Sequence, residues 1–86
     1  MTHRENLAFQ ALLNLPEMNG GSIHASKIIE DAGNTFDAVE LAAAADHLSS
    51  LGRDYLRIAR PNISAYEDFY YELLDAGREY KESMGL

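Results

Sequence analysis

Leu7, Ala8, Ala11, Leu12 and Leu15 recur at helical spacing near the start of the chain, and Thr2 followed by Glu5 fits a capping box. The pattern predicts a first helix from about residue 3 to about Asn14, because Pro16 and the Asn19-Gly20-Gly21 cluster forbid continuation. Ser22-Ile23 leaves room for one or two extended residues. A second helix is expected from His24 or Ala25, with Ile28, Ile29 and Ala32 facing inward. Gly33-Asn34 stops it, since both residue types accept the left-handed backbone of a helix C-terminus. A third helix, capped by Asn34 or Thr35, carries Phe36, Leu41, Ala44, Ala45, Leu48 and Leu51 on one side and closes at Gly52. The period then shortens. Between Tyr55 and Arg60, Leu56 and Ile58 alternate with polar neighbours, as in a half-buried strand, until Pro61-Asn62 breaks the run. From Tyr66 to Leu74, Phe69, Tyr71 and Leu73 fall on one face while Tyr70, Glu72 and Leu74 fall on the other, the pattern of a partner strand. The residues from Asp75 to Glu82 open a short last helix in which Gly77 is an unfavourable choice.

Eighty-six residues without an internal repeat or linker are room for one domain, 1–86, and a chain this short must use every large apolar side chain. At 47% hydrophobic it is expected to fold, alone or as a dimer. Fourteen acidic against seven basic residues give a net charge of −7, which opposes the phosphate backbone whose neutralisation supplies most non-specific nucleic-acid affinity. The absence of cysteine excludes disulfides and thiolate metal sites and fits a reducing compartment. No apolar run approaches the roughly 18 residues of a membrane span, and the polar start lacks a signal segment, so the expectation is a cytoplasmic protein with no membrane association.

The order helix, short extended piece, helix, helix, strand, loop, strand, helix resembles the winged helix-turn-helix superfamily over nearly the whole chain. Leu48-Ser49-Ser50-Leu51-Gly52 looks like the end of a recognition helix running into a first wing strand. The stretch from Tyr71 to Tyr80 is similar to that family's Tyr-x-Leu-Thr-x-x-Gly-x-x-Tyr exit from the second wing strand, with Leu74 where a capping Thr is usual. The resemblance implies an α+β fold of three helices, a two-stranded wing hairpin with its loop at Pro61 to Ala65, and a short C-terminal helix. A plain helical bundle, with Tyr66 to Leu74 helical, is the rival. The resemblance also implies a third helix in a DNA major groove and a wing on the backbone.

The residues of that helix speak against ordinary groove reading. If Leu41, Ala44, Ala45 and Leu48 face the core, Asp37, Ala38, Glu40, Ala43, Asp46, His47 and Ser50 face out, and none of these is the Arg, Lys, Asn or Gln that usually reads base edges. One reading is a solvated acidic face. The other is a protein-binding surface of Asp37, Glu40, Asp46 and His47 directed at a basic, nucleic-acid-binding partner, as in inhibitors that present carboxylates where phosphates would lie. At the level of class, the chain looks compatible with compact winged-helix proteins of phages and mobile elements, anti-CRISPR inhibitors and their regulators among them. Reversing Asp37, Glu40 and Asp46 to Lys is then expected to abolish binding and preserve the fold. The alternative is a small DNA-binding transcriptional regulator that contacts phosphates through Lys27, Arg53, Arg57 and Arg60, with a bulge near Pro61 bringing Arg57 and Arg60 together. Against it stands a plainer use of those arginines as solubilising residues paired with Asp54, Glu67 or Asp68. The run Leu41-Ala42-Ala43-Ala44-Ala45 permits close helix approach in a homodimer, and close packing inside the domain explains it equally well.

No catalytic residue, metal ligand or cofactor is expected. His3, His24 and His47 lack the spacing of a zinc pattern, and Gly20-Gly21 lacks the Lys-Ser/Thr of a phosphate loop. Ser22, Ser26 and Ser64 show no His and acid arrangement in sequence. Tyr66, Phe69, Tyr70 and Tyr80 are read as packing groups in preference to a base-stacking platform.

Overall fold

The capping box forms as the spacing demands. The Thr2 hydroxyl accepts the Glu5 N–H at 3.1 Å, and the Thr2 N–H donates to the Glu5 carboxylate at 2.8 Å, which starts α1 at His3–Leu13. The computed structural model describes residues 1–17 and 21–85; Asn19 and Gly20 of the expected breaker cluster lie outside them. After α1 come β1 (Ile23–His24), α2 (Ala25–Asp31), α3 (Ala38–Ser49), β2 (Leu56–Ala59), a 3-10 turn (Tyr66–Asp68), β3 (Tyr70–Leu73) and α4 (Asp75–Ser83). The architecture is a small α+β fold, with four helices and one three-stranded antiparallel sheet among the described residues.

Gly33 and Asn34 adopt φ of +71° and +58°, the left-handed conformation that ends α2. Neither Asn34 nor Thr35 then caps α3. Thr35 donates its hydroxyl back to the Ala32 carbonyl, while Asp37 is the cap, accepting the Glu40 N–H at 2.8 Å in a second capping box. Phe36 therefore precedes α3, and both it and Leu41 are buried, the N′ and N4 positions of a hydrophobic staple. Leu51, expected in the core, is 39% exposed because α3 has already ended.

The sheet order is β1-β3-β2, so the expected two-stranded hairpin gains a third strand through the Ile23↔Tyr71 and His24↔Tyr70 pairs. β3 is shorter than the alternation from Tyr66 to Leu74 implied, because Tyr66–Asp68 turns as a 3-10 helix before the strand begins. The two faces fall as the alternation predicts: Phe69, Tyr71 and Leu73 are buried, whereas Tyr70 is exposed. Leu56, Arg57, Ile58 and Ala59 pair with Leu73, Glu72, Tyr71 and Tyr70 respectively. In the connecting loop the Asn62 side chain accepts the Ser64 N–H at 3.0 Å, a local Asx turn. Leu74 has the extended backbone of an N-cap but supplies no side-chain acceptor to α4.

α1 packs chiefly on α3, and its buried residues are Ala8, Phe9, Leu12 and Leu13. The helix is thus rotated from the stripe read in sequence: Leu7, Ala11 and Leu15 are only half-buried. On α3, Ala42, Ala44 and Ala45 are buried inside the domain, which accounts for most of the alanine run by internal packing.

Candidate functional site

Opposite the buried Leu41, Ala45 and Leu48, the outward line of α3 runs Val39, Ala43, Asp46 and Ser50, spaced i, i+4, i+7, i+11. Val39 is 58% exposed and was absent from the residues expected there. Its signal was available, since the Asp37-x-x-Glu40 box fixes the helix start and sets Val39 at the second helical position, one turn before Ala43.

The four acidic-face residues do not form one cluster. Asp37 and Glu40 close the capping box, and Glu40 also receives Arg4 from α1 through Nε, at 2.9 and 2.8 Å to its two oxygens. The Arg4 hydrogen bond, followed by the Asp37 backbone N–H, holds the Glu40 carboxyl below the usual carboxylate range, and Glu40 in turn raises the Arg4 guanidinium. Charge reversal at Asp37 or Glu40 would break the capping box of α3, so at these two positions it would cost stability as well as alter the surface charge. His47 stands edge-on to Phe9 of α1, with ring centroids 5.8 Å apart. Asp46 alone of the four lies on the outward line, its side chain 70% exposed.

The basic set is likewise separated. Arg57 pairs with its cross-strand neighbour Glu72 at 2.9 Å, and Arg60 reaches Asp46 on α3 at 3.1 Å with its guanidinium 5.6 Å from the Phe69 ring centroid. Lys27 pairs with Asp31 one turn along α2 at 3.2 Å. Arg53 lies 6.0 Å from the Tyr55 ring centroid, the outer limit of a cation–π contact. Arg57 and Arg60 take different partners, Glu72 and Asp46, where Asp54, Glu67 or Asp68 had been expected. Exposed ion pairs of this kind contribute only about 0–1 kcal/mol each, so pairing alone is no barrier to a polyanion. The net charge of −7 is the stronger obstacle. Arg57 and Arg60 each face a carboxylate, Glu72 and Asp46, and the chain as a whole carries fourteen acidic residues against seven basic.

One arrangement was not readable in sequence. His24 caps α2, its Nδ1 accepting the Ser26 N–H at 3.2 Å with the Ser26 hydroxyl 2.6 Å away, while Nε2 lies 3.6 Å from Asp68. A Ser, a His and an Asp are therefore in line. Both short contacts of Nδ1 come from the one residue that a cap needs at this position, so the capping role accounts for the geometry. The His24 ring also stands edge-on to Tyr70 at 4.9 Å. Among the described residues no group of three or more His, Asp or Glu is placed to hold a metal ion, and no helix is long and apolar enough to cross a membrane.

Beneath the Asp46–Arg60 bridge lies a buried polar group. Tyr71 is fully buried on the central strand, and its hydroxyl finds no hydrogen-bond partner among the described residues. Burial pushes the phenol up to about 12, with Arg60 acting to lower it and Asp46 to raise it. Since the folded value exceeds the ordinary 10.0, the contribution of the neutral phenol is whole below pH 10 and is lost as pH climbs through about 12. The loss over that window amounts to roughly 2–3 kcal/mol. Tyr71→Phe should therefore raise stability at neutral pH by about 1 kcal/mol and flatten the alkaline limb. Urea melts at pH 7 and pH 11 read both effects; a destabilised Phe variant at pH 7 would show that the hydroxyl has a partner.

No family model matches the chain, and neither a curated protein nor a solved structure matches it.

Proposed function

We propose that this chain is a winged helix-turn-helix module that regulates by binding another protein through the outward line of α3, and that it does no catalysis. The order α1, β1, α2, α3, β2, β3, α4 with its β1-β3-β2 sheet fits that architecture, with residues 61–65 as the wing. One observation carries the functional reading: the outward line holds Val39, Ala43, Asp46 and Ser50, without a cation or amide to read a base edge. Val39 and Ala43 offer a small apolar contact, and Asp46, whose exposed bridge to Arg60 holds it only weakly, a carboxylate beside it that can exchange to the Lys or Arg flanking an apolar ridge on a partner. Such a partner is one that handles nucleic acid, with Asp46 standing where a phosphate would lie. Of Asp37, Glu40, Asp46 and His47 the proposed contact set keeps Asp46 alone, and it adds Val39 and Ala43.

The test is capture of the partner from nuclease-treated lysate by the immobilised protein, repeated with a Val39→Lys, Asp46→Lys variant. Both positions are exposed and outside the α3 cap, so the variant should melt within about 0.5 kcal/mol of the parent while the complex is lost. A complex that vanishes with nuclease, together with duplex DNA binding that falls steeply with salt and weakens in Arg57→Ala, would replace this reading with a DNA-binding one.

A further inference from the structure

We infer that the outer edge of β2 is a homodimer interface, in which β2 pairs antiparallel with the β2 of a second copy about a two-fold axis at Ile58. β2 stands at the margin of the sheet, whose order is β1-β3-β2. One bond tells which of its backbone groups are free. The Tyr55 carbonyl accepts the Leu74 N–H at 3.0 Å, and Leu56 lies opposite Leu73, so antiparallel alternation gives the bonds to β3 to Arg57 and Ala59. The N–H and C=O of Leu56 and Ile58 then point away from β3, and no other described residue hydrogen-bonds to them. Strand edges are ordinarily blunted by a bulge, a proline or an exposed charge. Here Leu56–Ala59 pairs one to one with β3, contains no proline, and has its one charge, Arg57, bonded back across the sheet to Glu72 at 2.9 Å.

The side chains fit a second copy of the same strand. With the axis at Ile58, the free groups of Ile58 bond to those of its own copy. Those of Leu56 reach residue 60 of the second chain, where the following Pro61 favours extended backbone. Ile58 is only half-buried at the margin of the core, and the axis sets it against the second Ile58 on the same sheet face, a β-branched pair. On the other face Arg57 falls opposite the exposed Ala59 of the second copy, whose small side chain lets Arg57 stay on Glu72. An axis one residue earlier would set Arg57 against Arg57. Two residues earlier, the pairing would run into the turn in which the Tyr55 N–H donates to the Arg53 carbonyl at 2.9 Å. One residue later, Leu56 would meet Asn62, whose carbonyl already accepts the Ala65 N–H at 3.1 Å. A flexible peptide laid on this edge would first have to be ordered, at about 1–2 kcal/mol per residue, whereas a second copy brings a strand already held by its own β3. The contact uses the backbone of residues 56–60 and none of Val39, Ala43 or Asp46, so it stands or falls apart from the partner surface proposed on α3.

Sedimentation equilibrium of the intact chain should show a monomer–dimer equilibrium. Ala59→Lys places a cation beside the Arg57 of the second copy, twice by symmetry, and should raise the dimer dissociation constant about tenfold, while Ala59→Glu should lower it. These signs oppose those of net charge, since an added Lys makes a chain of −7 less self-repelling and an added Glu makes it more so. Residue 59 is exposed, so both variants should keep the fold. A synthetic chain methylated on the Ile58 backbone nitrogen loses the donor at the axis, keeps every side chain and every bond to β3, and should be monomeric. If it does not fold, the Ala59 pair decides. A chain still monomeric at about 1 mM overturns the inference, whatever extended peptide it takes up. So does a dimer that residue 59 leaves unchanged or shifts in the direction of net charge, or one that a folded N-methyl chain still forms.

Discussion

Gly77→Ala should destabilise the protein by about 2–3 kcal/mol, although alanine is the better helix former by about 1 kcal/mol. Gly77 is buried in the first turn of α4, and a Cβ built on it meets the carbonyl oxygen of Tyr55 and the Cδ1 of Leu73. Leu73 is a core side chain with little room to yield, being 3% exposed. The Tyr55 carbonyl is fixed too, because it accepts the Leu74 N–H at 3.0 Å where the β2–β3 pair runs into α4. Relief therefore requires α4 to lift from the sheet, which would also disturb the Tyr55–Tyr80 ring contact, centroids 4.9 Å apart. Urea unfolding followed by far-UV circular dichroism measures the loss, and the near-UV tyrosine signal should change with it. A variant as stable as the parent would mean that α4 does not approach the sheet this closely.

This glycine marks where sequence reading succeeds and where it stops. Gly77 was visible as a poor helix residue, but the reason for it lies in Tyr55 and Leu73, one of them 22 residues distant, and appears only when α4 is docked. Local chemistry was legible: the Thr2–Glu5 box, the left-handed Gly33-Asn34 and the alternation of Phe69, Tyr71 and Leu73 depend on neighbours within a few residues. The Asp37–Glu40 box has the same form, yet Asn34 and Thr35 carry competing cap chemistry, and both are taken up in ending α2. The rotation of α1 was not legible because apolar residues surround it from Leu7 to Leu15, so periodicity names no single face. The candidate site was harder still. Which carboxylate meets Arg57 follows from strand register, and the Asp46–Arg60 bridge from packing of the β2–β3 connection on α3, neither of which spacing determines. Val39 is apolar and near a helix start, so its composition alone does not show that it faces outward.

Phe36→Ala should be costlier, lowering stability by about 3–5 kcal/mol, a large share of the 5–15 kcal/mol typical of a native domain. Phe36 is 2% exposed and is one of the largest fully buried side chains, in a chain with little core to spare. Its position multiplies the effect. It lies between the left-handed pair that ends α2 and the cap that begins α3, so its burial together with Leu41 fixes the angle at which the chain enters α3. Removing the ring leaves a cavity and frees that angle, and the outward line of Val39, Ala43 and Asp46 should lose its fixed orientation even in molecules that remain folded. Asp37→Ala, which removes only the cap, should cost about 1 kcal/mol. Urea melts of the two variants separate the contributions: a Phe36→Ala loss no greater than that of Asp37→Ala would show that the ring is not part of the core, and that the cap alone holds α3 in place.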